Sequence, residues 1–152
     1  MIPISPLQLR DYFVETLHID TNLDYAAPDA NSFESKVGVE FGFKKRGEEP
    51  IFRIDLEVKV NPTDESFAQA PYRIEIKTQT VFEFEHSFPE NEIPNLLGPN
   101  GLAMAYSIVR GIVGQATGSS LHGKFILPTL NFVDLLKTKI EDDKKKLKSP
   151  HK

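Results

Sequence analysis

Three successive segments of this chain alternate apolar and polar residues almost without interruption. A period of two places neighbouring side chains on opposite faces of a β-strand. The alternation therefore predicts three strands, each with one buried face and one wet face. The apolar faces hold Val37, Val39, Phe41 and Phe43 in the first segment, Phe52, Ile54, Leu56, Val58 and Val60 in the second, and Tyr72, Ile74, Ile76, Thr78, Thr80, Phe82 and Phe84 in the third.

The earlier stretch LRDYFVETLHI indicates a fourth strand. Its alternation places Tyr12, Val14 and Thr16 on one face, and Asp11, Phe13 and Glu15 on the other. The links between the later segments are short, whereas parallel neighbours need a crossover of about a dozen residues or more. We therefore expect a four-stranded antiparallel sheet.

From Pro89 onward the pattern changes to helical periodicity. PENEIPNLLG predicts a short helix, a longer helix capped by Asn100 is expected to run to about Thr117, and a closing helix begins after Asn131. Strands followed by helices predict an α+β domain with its helices packed on one face of the sheet. We expect a single domain over residues 1–136 and a Lys-rich tail, helical or frayed, over 137–152.

Composition removes several classes of function. The 152 residues include no cysteine, which excludes disulfides, thiolate metal sites and Cys nucleophiles. Four histidines, His18, His86, His122 and His151, lie far apart without metal-ligand spacing, and no phosphate-binding or nucleophile motif is present. The sequence thus predicts no enzyme, no metal site and no cofactor.

Charge and hydropathy limit the kinds of partner that the chain can bind. The net charge is −4, and the last 16 residues carry seven lysines and three acids, so residues 1–136 carry −8. An acidic body repels phosphate backbones, which makes nucleic acid a poor partner. The N-terminus has no signal-peptide pattern, and no apolar run is long enough to span a membrane. We expect a cytoplasmic protein without membrane insertion.

The second half of the chain resembles the SecB family of export chaperones. The shared order is a long strand ending in VFEF, a helix closing in LLG, YSIVR at Tyr106–Arg110, and LPTLNF at Leu127–Phe132. The resemblance covers roughly residues 9–136. Ser107 and Ile108 stand where the family box has Pro and Tyr, which marks a divergent relative, and coincidental α+β patterning is the alternative.

The resemblance implies protomers that assemble as a dimer of dimers and hold unfolded polypeptide in apolar grooves without ATP. The groove candidates are Phe82, Phe84, Leu97, Leu102, Tyr106 and Ile108. The candidates for the oligomer interface are Tyr72, Ile74 and Ile76. For every one of these residues, simple packing in the protein core is the competing interpretation.

In this family acidic residues on the open face of the sheet bind the translocase motor SecA. The matching positions are Asp11, Glu15 and Glu75, for which a solvated strand face is the alternative. The Lys-rich end departs from the acidic tail usual in the family and puts SecA coupling in doubt. Three functions stay open: a general holdase for export, a dedicated chaperone of one partner such as an antitoxin, and a structural or small-ligand-binding oligomer.

Overall fold

A computed structural model of the chain describes residues 1–27 and 35–148. The first half of the chain forms four strands and one short helix, and the second half is helical. The strands are β1 (Leu7–Thr21), β2 (Val37–Lys45), β3 (Ile51–Val60) and β4 (Tyr72–Phe84). The helices are α1 (Asp64–Ala68), α2 (Ile93–Leu96), α3 (Leu102–Thr117) and α4 (Phe132–Lys148), with a 3-10 turn at Glu90–Glu92 and a π-helical turn at Leu97–Gly101.

The strands form one antiparallel sheet in the order β1-β4-β3-β2. This arrangement confirms the predicted four-stranded antiparallel sheet and its α+β class. The long strands β4 and β3 lie in the centre, so β1 and β2 are the two edges. Paired residues of antiparallel strands point to the same face, and the pairing of Ile54 with Thr80 and of Phe43 with Ile54 puts the predicted apolar rows together.

The core lies between this apolar face and α3. Helix α3 buries Leu102, Ala105, Tyr106, Val109 and Val113 against it. A helix with its side chains is about 10 Å wide and strands lie about 4.8 Å apart, so one helix covers about two strands. Helix α3 contacts the two central strands, β3 and β4, while α4 lies over β2. In the middle of β1, by contrast, the helix-side residues Tyr12 and Val14 remain exposed.

Strand β1 departs from the simple alternation expected for it. Register shifts between Leu9 and Asp11 and between Val14 and Thr16 insert extra residues opposite β4. Thr16 therefore pairs with Lys77 on the open face, so its predicted place beside Tyr12 and Val14 was wrong. Leu17, opposite Ile76, takes the helix-side position instead. A bulge reverses the facing of every later residue, and sequence periodicity alone does not reveal it.

The segment before α3 also differs in detail. Asn100 does not cap a helix, because it lies inside the π-helical turn and α3 follows without a break from Gly101, which has helical dihedrals. The predicted cap of the last helix is confirmed: Asn131 Oδ1 accepts a hydrogen bond from the Asp134 amide at 3.2 Å. The predicted boundary at 136/137 falls inside α4, and residues 149–152 of the predicted tail lie outside the described residues.

The YSIVR and LPTLNF motifs hold α3 to the segment that leads into α4. The Tyr106 hydroxyl donates to the Pro128 carbonyl at 2.6 Å, and Arg110 Nε donates to the Leu127 carbonyl at 3.1 Å. The Phe132 ring packs edge-on against Tyr106 with centroids 5.4 Å apart. Burial raises the pKa of Tyr106 to about 12. These motif residues thus fix the start of α4 relative to the core.

Candidate functional site: an apolar groove beside strand β2

An open apolar groove runs between the helix-side face of β2 and the helices α2 and α4. Its volume is about 600 Å³, within the range of about 300–1,000 Å³ typical of ligand-binding clefts. We call it the β2–α4 groove. Its apolar lining consists of Phe41, Phe43, Phe52, Ile93, Pro94, Leu97, Leu136 and Ile140.

The three walls of the groove come from separate parts of the chain. Alternation in β2 turns Phe41 and Phe43 to the helix side, where their rings meet edge to face at 5.8 Å. Ile93 and Leu97 form the floor, with 7% and 4% of their surfaces exposed. Helix α4 contributes Leu136 and Ile140, one turn apart on the same helix face. The walls therefore expose aromatic and aliphatic surface above a rigid floor.

Lys139 connects the two sides of the groove. Its ammonium group donates to the main-chain carbonyl of Phe41 and lies 4.2 Å from the centroid of the Phe41 ring. This side chain therefore partly blocks the outer edge of β2 and holds α4 over it. No α4 residue is fully buried, so the helix is attached by a few contacts and not by a large packed interface.

A second apolar surface lies on the opposite edge of the sheet. Four helix-side residues of β1, which we call the β1 strip, are between 42% and 47% exposed: Leu9, Tyr12, Val14 and Leu17. Phe13, on the open face, is 52% exposed. An edge strand with bare main-chain groups and exposed apolar side chains is a template for association with another chain.

Most of the predicted groove residues lie in the core instead of lining an open surface. Between 0% and 4% of the surface is exposed for Phe82, Phe84, Leu97, Leu102 and Tyr106, and Ile108 is half-buried. Leu97 alone of the six lines the β2–α4 groove. Their role in client binding stays a prediction, but in the single chain only Leu97 is placed to perform it directly.

The predicted interface residues are buried as well. Tyr72, Ile74 and Ile76 are at most 1% exposed, so they lie in the core and not at an outer surface. The residues that sequence reasoning passed over are the β1 strip and the groove residues Phe41, Phe43, Phe52, Leu136 and Ile140. Alternation marked several of them as apolar, but only the strand order shows that β1 and β2 are edges.

The three predicted SecA-contact acids share the open face of the sheet. Asp11 pairs with Val81, Glu75 lies opposite His18, and Glu15 accepts a hydrogen bond from the Gln79 side chain. The same face carries ion pairs, including Lys59 with Glu57 at 2.9 Å and Arg10 with Glu83. These contacts lower the pKa of Glu57 and Glu83. The face is therefore solvated and of mixed charge.

Within residues 1–27 and 35–148, no cluster of three or more histidines and acids could hold a metal ion. Among the helices that the structure describes, none is both long and apolar enough to cross a membrane.

Comparison with solved structures identifies the fold. The SecB-like chaperone Rv1957 of Mycobacterium tuberculosis, solved in complex with a ChAD peptide from the HigA1 antitoxin Rv1956, superposes with a TM-score of 0.57. The match covers 82% of this chain and 91% of that chain at 16% identity. The chain therefore has the SecB-like fold, as the resemblance implied.

A protein of unknown function from Streptococcus agalactiae also matches, with a TM-score of 0.43 and 19% identity over 81% of this chain and 97% of that chain. No protein-family model matches the sequence. No curated protein matches it either.

Proposed function

We propose that the protein is a divergent SecB-like chaperone that binds non-native polypeptide in the β2–α4 groove, without ATP and without covalent chemistry. The observation that carries this function is an open, aromatic-lined groove beside an edge strand on the SecB-like fold. An extended chain can pair with a free strand edge through its main chain while its apolar side chains enter such a groove. Apolar burial is non-directional, so the groove tolerates many sequences.

The compared chaperone supports a polypeptide as the ligand, because its structure contains an antitoxin peptide. For this chain we propose the same class of ligand and a cytoplasmic location. A chaperone of one dedicated partner and a general export chaperone would use the same binding surface. The two functions differ in how many unrelated unfolded proteins the chain protects.

Delivery to SecA is the finer part of the proposal. Asp11, Glu15 and Glu75 are on the same open face of the sheet, which is compatible with such a contact, whereas the last turn of α4 is basic, with Lys145, Lys146 and Lys148. Titration of purified SecA with the chain separates the two roles. Binding that is lost in a triple Asp11→Asn, Glu15→Gln, Glu75→Gln variant supports export, and no binding supports a dedicated chaperone.

Self-association is proposed through the β1 strip. A second copy that lies along β1 would cover the strip and pair the bare edge, and a two-fold contact of this kind is the commonest way for identical chains to assemble. Such a dimer is the first step toward the expected dimer of dimers. Tyr72, Ile74 and Ile76 would support that surface from inside the sheet, since Ile76 pairs with Leu17.

The test of the function is suppression of aggregation. We expect stoichiometric amounts of the chain to reduce light scattering of several unfolded proteins. Ile140→Ser should weaken the effect, because Ile140 lines the groove and is 54% exposed. Leu147→Ser is the matched control: Leu147 lies on the same helix, is 87% exposed and lines no part of the groove. Unchanged aggregation in the presence of the wild-type chain would refute the proposal.

A further inference from the structure

The charged rim of the β2–α4 groove differs in sign from the rest of the domain. Residues 1–136 carry −8 in a chain of net charge −4. The charged side chains on the groove side are two lysines and one acid, Lys45, Lys139 and Asp143, whereas Lys44 turns to the open face of the sheet. The groove is therefore a basic site on an acidic body.

Both rim lysines lack a carboxylate partner among the described residues. Lys44 does not belong to the rim, because it lies 3.8 Å from Asp55 on the open face. Lys45 is exposed on the groove side of β2 and forms no ion pair there, although Glu48 and Glu49 follow in the next turn. Lys139 donates to the carbonyl of Phe41, lies over the Phe41 ring and forms no ion pair within the described residues. Both ammonium groups are available to a negatively charged ligand.

We infer that the groove selects extended segments in which apolar residues are flanked by Asp or Glu. This specificity rests on the proposed function and concerns the same site. A carboxylate beside the apolar residues pairs with Lys45, and a second one gives Lys139 a stronger partner than the Phe41 carbonyl, since hydrogen bonds to ionised acceptors are the stronger ones. Lys139 then releases the main-chain edge of β2, and the segment pairs with it.

The charge of the acidic body acts against this choice at long range, so only the local charge of the rim favours an acidic segment. A segment rich in Lys or Arg is attracted to most of the surface of residues 1–136, yet it meets like charges at the groove itself. Juxtaposed like charges oppose the wrong partner, which is how charge arrangement gives specificity. Apolar contacts supply most of the binding free energy, and the charges of the rim determine which apolar segments bind most tightly.

The experiment uses three fluorescent peptides with one apolar sequence, in which the flanking residues are all Glu, all Gln or all Lys. Fluorescence anisotropy with the full-length chain should give tighter binding for the Glu peptide than for the Gln peptide by about two- to fivefold per carboxylate, as exposed ion pairs allow. The Lys peptide should bind weakest. Added salt should reduce the preference for Glu and leave binding of the Gln peptide nearly unchanged.

Lys45→Glu should abolish or reverse the order of the three peptides. Lys137→Glu is the matched control: it makes the same change of charge on an exposed residue of α4 that does not line the groove, and it should preserve the order. Equal binding of all three peptides, or tightest binding of the Lys peptide, overturns the acidic preference and leaves the chaperone function standing. Failure of all three to bind refutes the function itself.

Discussion

The two edges of the sheet carry similar apolar residues but are covered differently. Strand β2 lies under α4, and Lys139 of that helix is bonded to the carbonyl of Phe41. Strand β1 has no such cover among the described residues, and the β1 strip is between 42% and 47% exposed. Unprotected strand edges promote association with other chains. The difference is compatible with the two roles proposed above, in which β1 contacts a second copy and β2 binds a ligand reversibly.

The coverage follows from the width of the helix layer. One helix covers about two strands, so α3 over β3 and β4 leaves both edges to other elements. Helix α4 reaches β2 because the Tyr106 and Arg110 contacts fix residues 127–128 at the end of α3. No helix follows α4 in the described chain to cover β1. The second copy proposed above would bury that strip.

The largest expected effect comes from a charge on β1. Val14→Lys should convert the assembled protein to single chains, because a buried ammonium without a partner is strongly unfavourable in an interface. Light scattering coupled to size exclusion measures the mass. Phe43→Lys, at a residue of β2 with 38% exposure against 43% for Val14, should leave the mass unchanged. A wild-type chain that is already monomeric would contradict the role given to β1.

A smaller effect is expected where α4 is anchored. Tyr106→Phe removes the hydroxyl bonded to the Pro128 carbonyl, and the net loss of such a partly buried hydrogen bond costs about 0.5–1.5 kcal/mol. Urea unfolding should show this loss, while the mass of the assembly stays as in the wild type. A loss below the error of the measurement would show that the hydroxyl does not hold the segment.

The same residue predicts a dependence on alkaline pH. The folded-state pKa of Tyr106 is raised from 10.0 to about 12, so the folded form retains its proton where the unfolded form loses it. The contribution of Tyr106 to stability is complete below pH 10 and is lost as the pH rises toward 12. The free energy of unfolding should fall less steeply over this interval in Tyr106→Phe than in the wild type.

The smallest effect is expected at the cover of β2 itself. Lys139→Met keeps the apolar stem but removes the bond to Phe41 and the cation–π contact, which together contribute about 1 kcal/mol at a partly exposed site. Hydrogen exchange should become faster in β2 and stay the same in β1. Equal protection of β2 in the wild type and in Lys139→Met would show that Lys139 does not close this edge. The contrast between the two edges would then depend on α4 alone.

Much of the fold was readable in the sequence because it depends on local periodicity. The apolar rows of β2, β3 and β4, the antiparallel pairing and the Asn131 cap were all predicted and confirmed. The bulges in β1 were not, because strict alternation was extended from Tyr12 and Val14 to Thr16, across the inserted residue. The predicted cap at Asn100 was wrong for a related reason. A residue of a capping type does not mark the start of a helix when helical backbone already precedes it.

The candidate site was the least predictable part. Phe82 and Phe43 alternate in the same way in the sequence, yet Phe82 is 0% exposed and Phe43 is 38% exposed. The first lies on a central strand beneath α3, and the second lies on an edge. No local pattern encodes that difference, since it arises from strand order.

The sequence by itself determined the four strands, the main helices and the face that β2, β3 and β4 turn inward, because these features depend on neighbours along the chain. Only the tertiary structure decided which apolar residues remain accessible. That property depends on how many strands two helices can cover, and it leaves one edge of the sheet bare and the other beneath a lightly held helix.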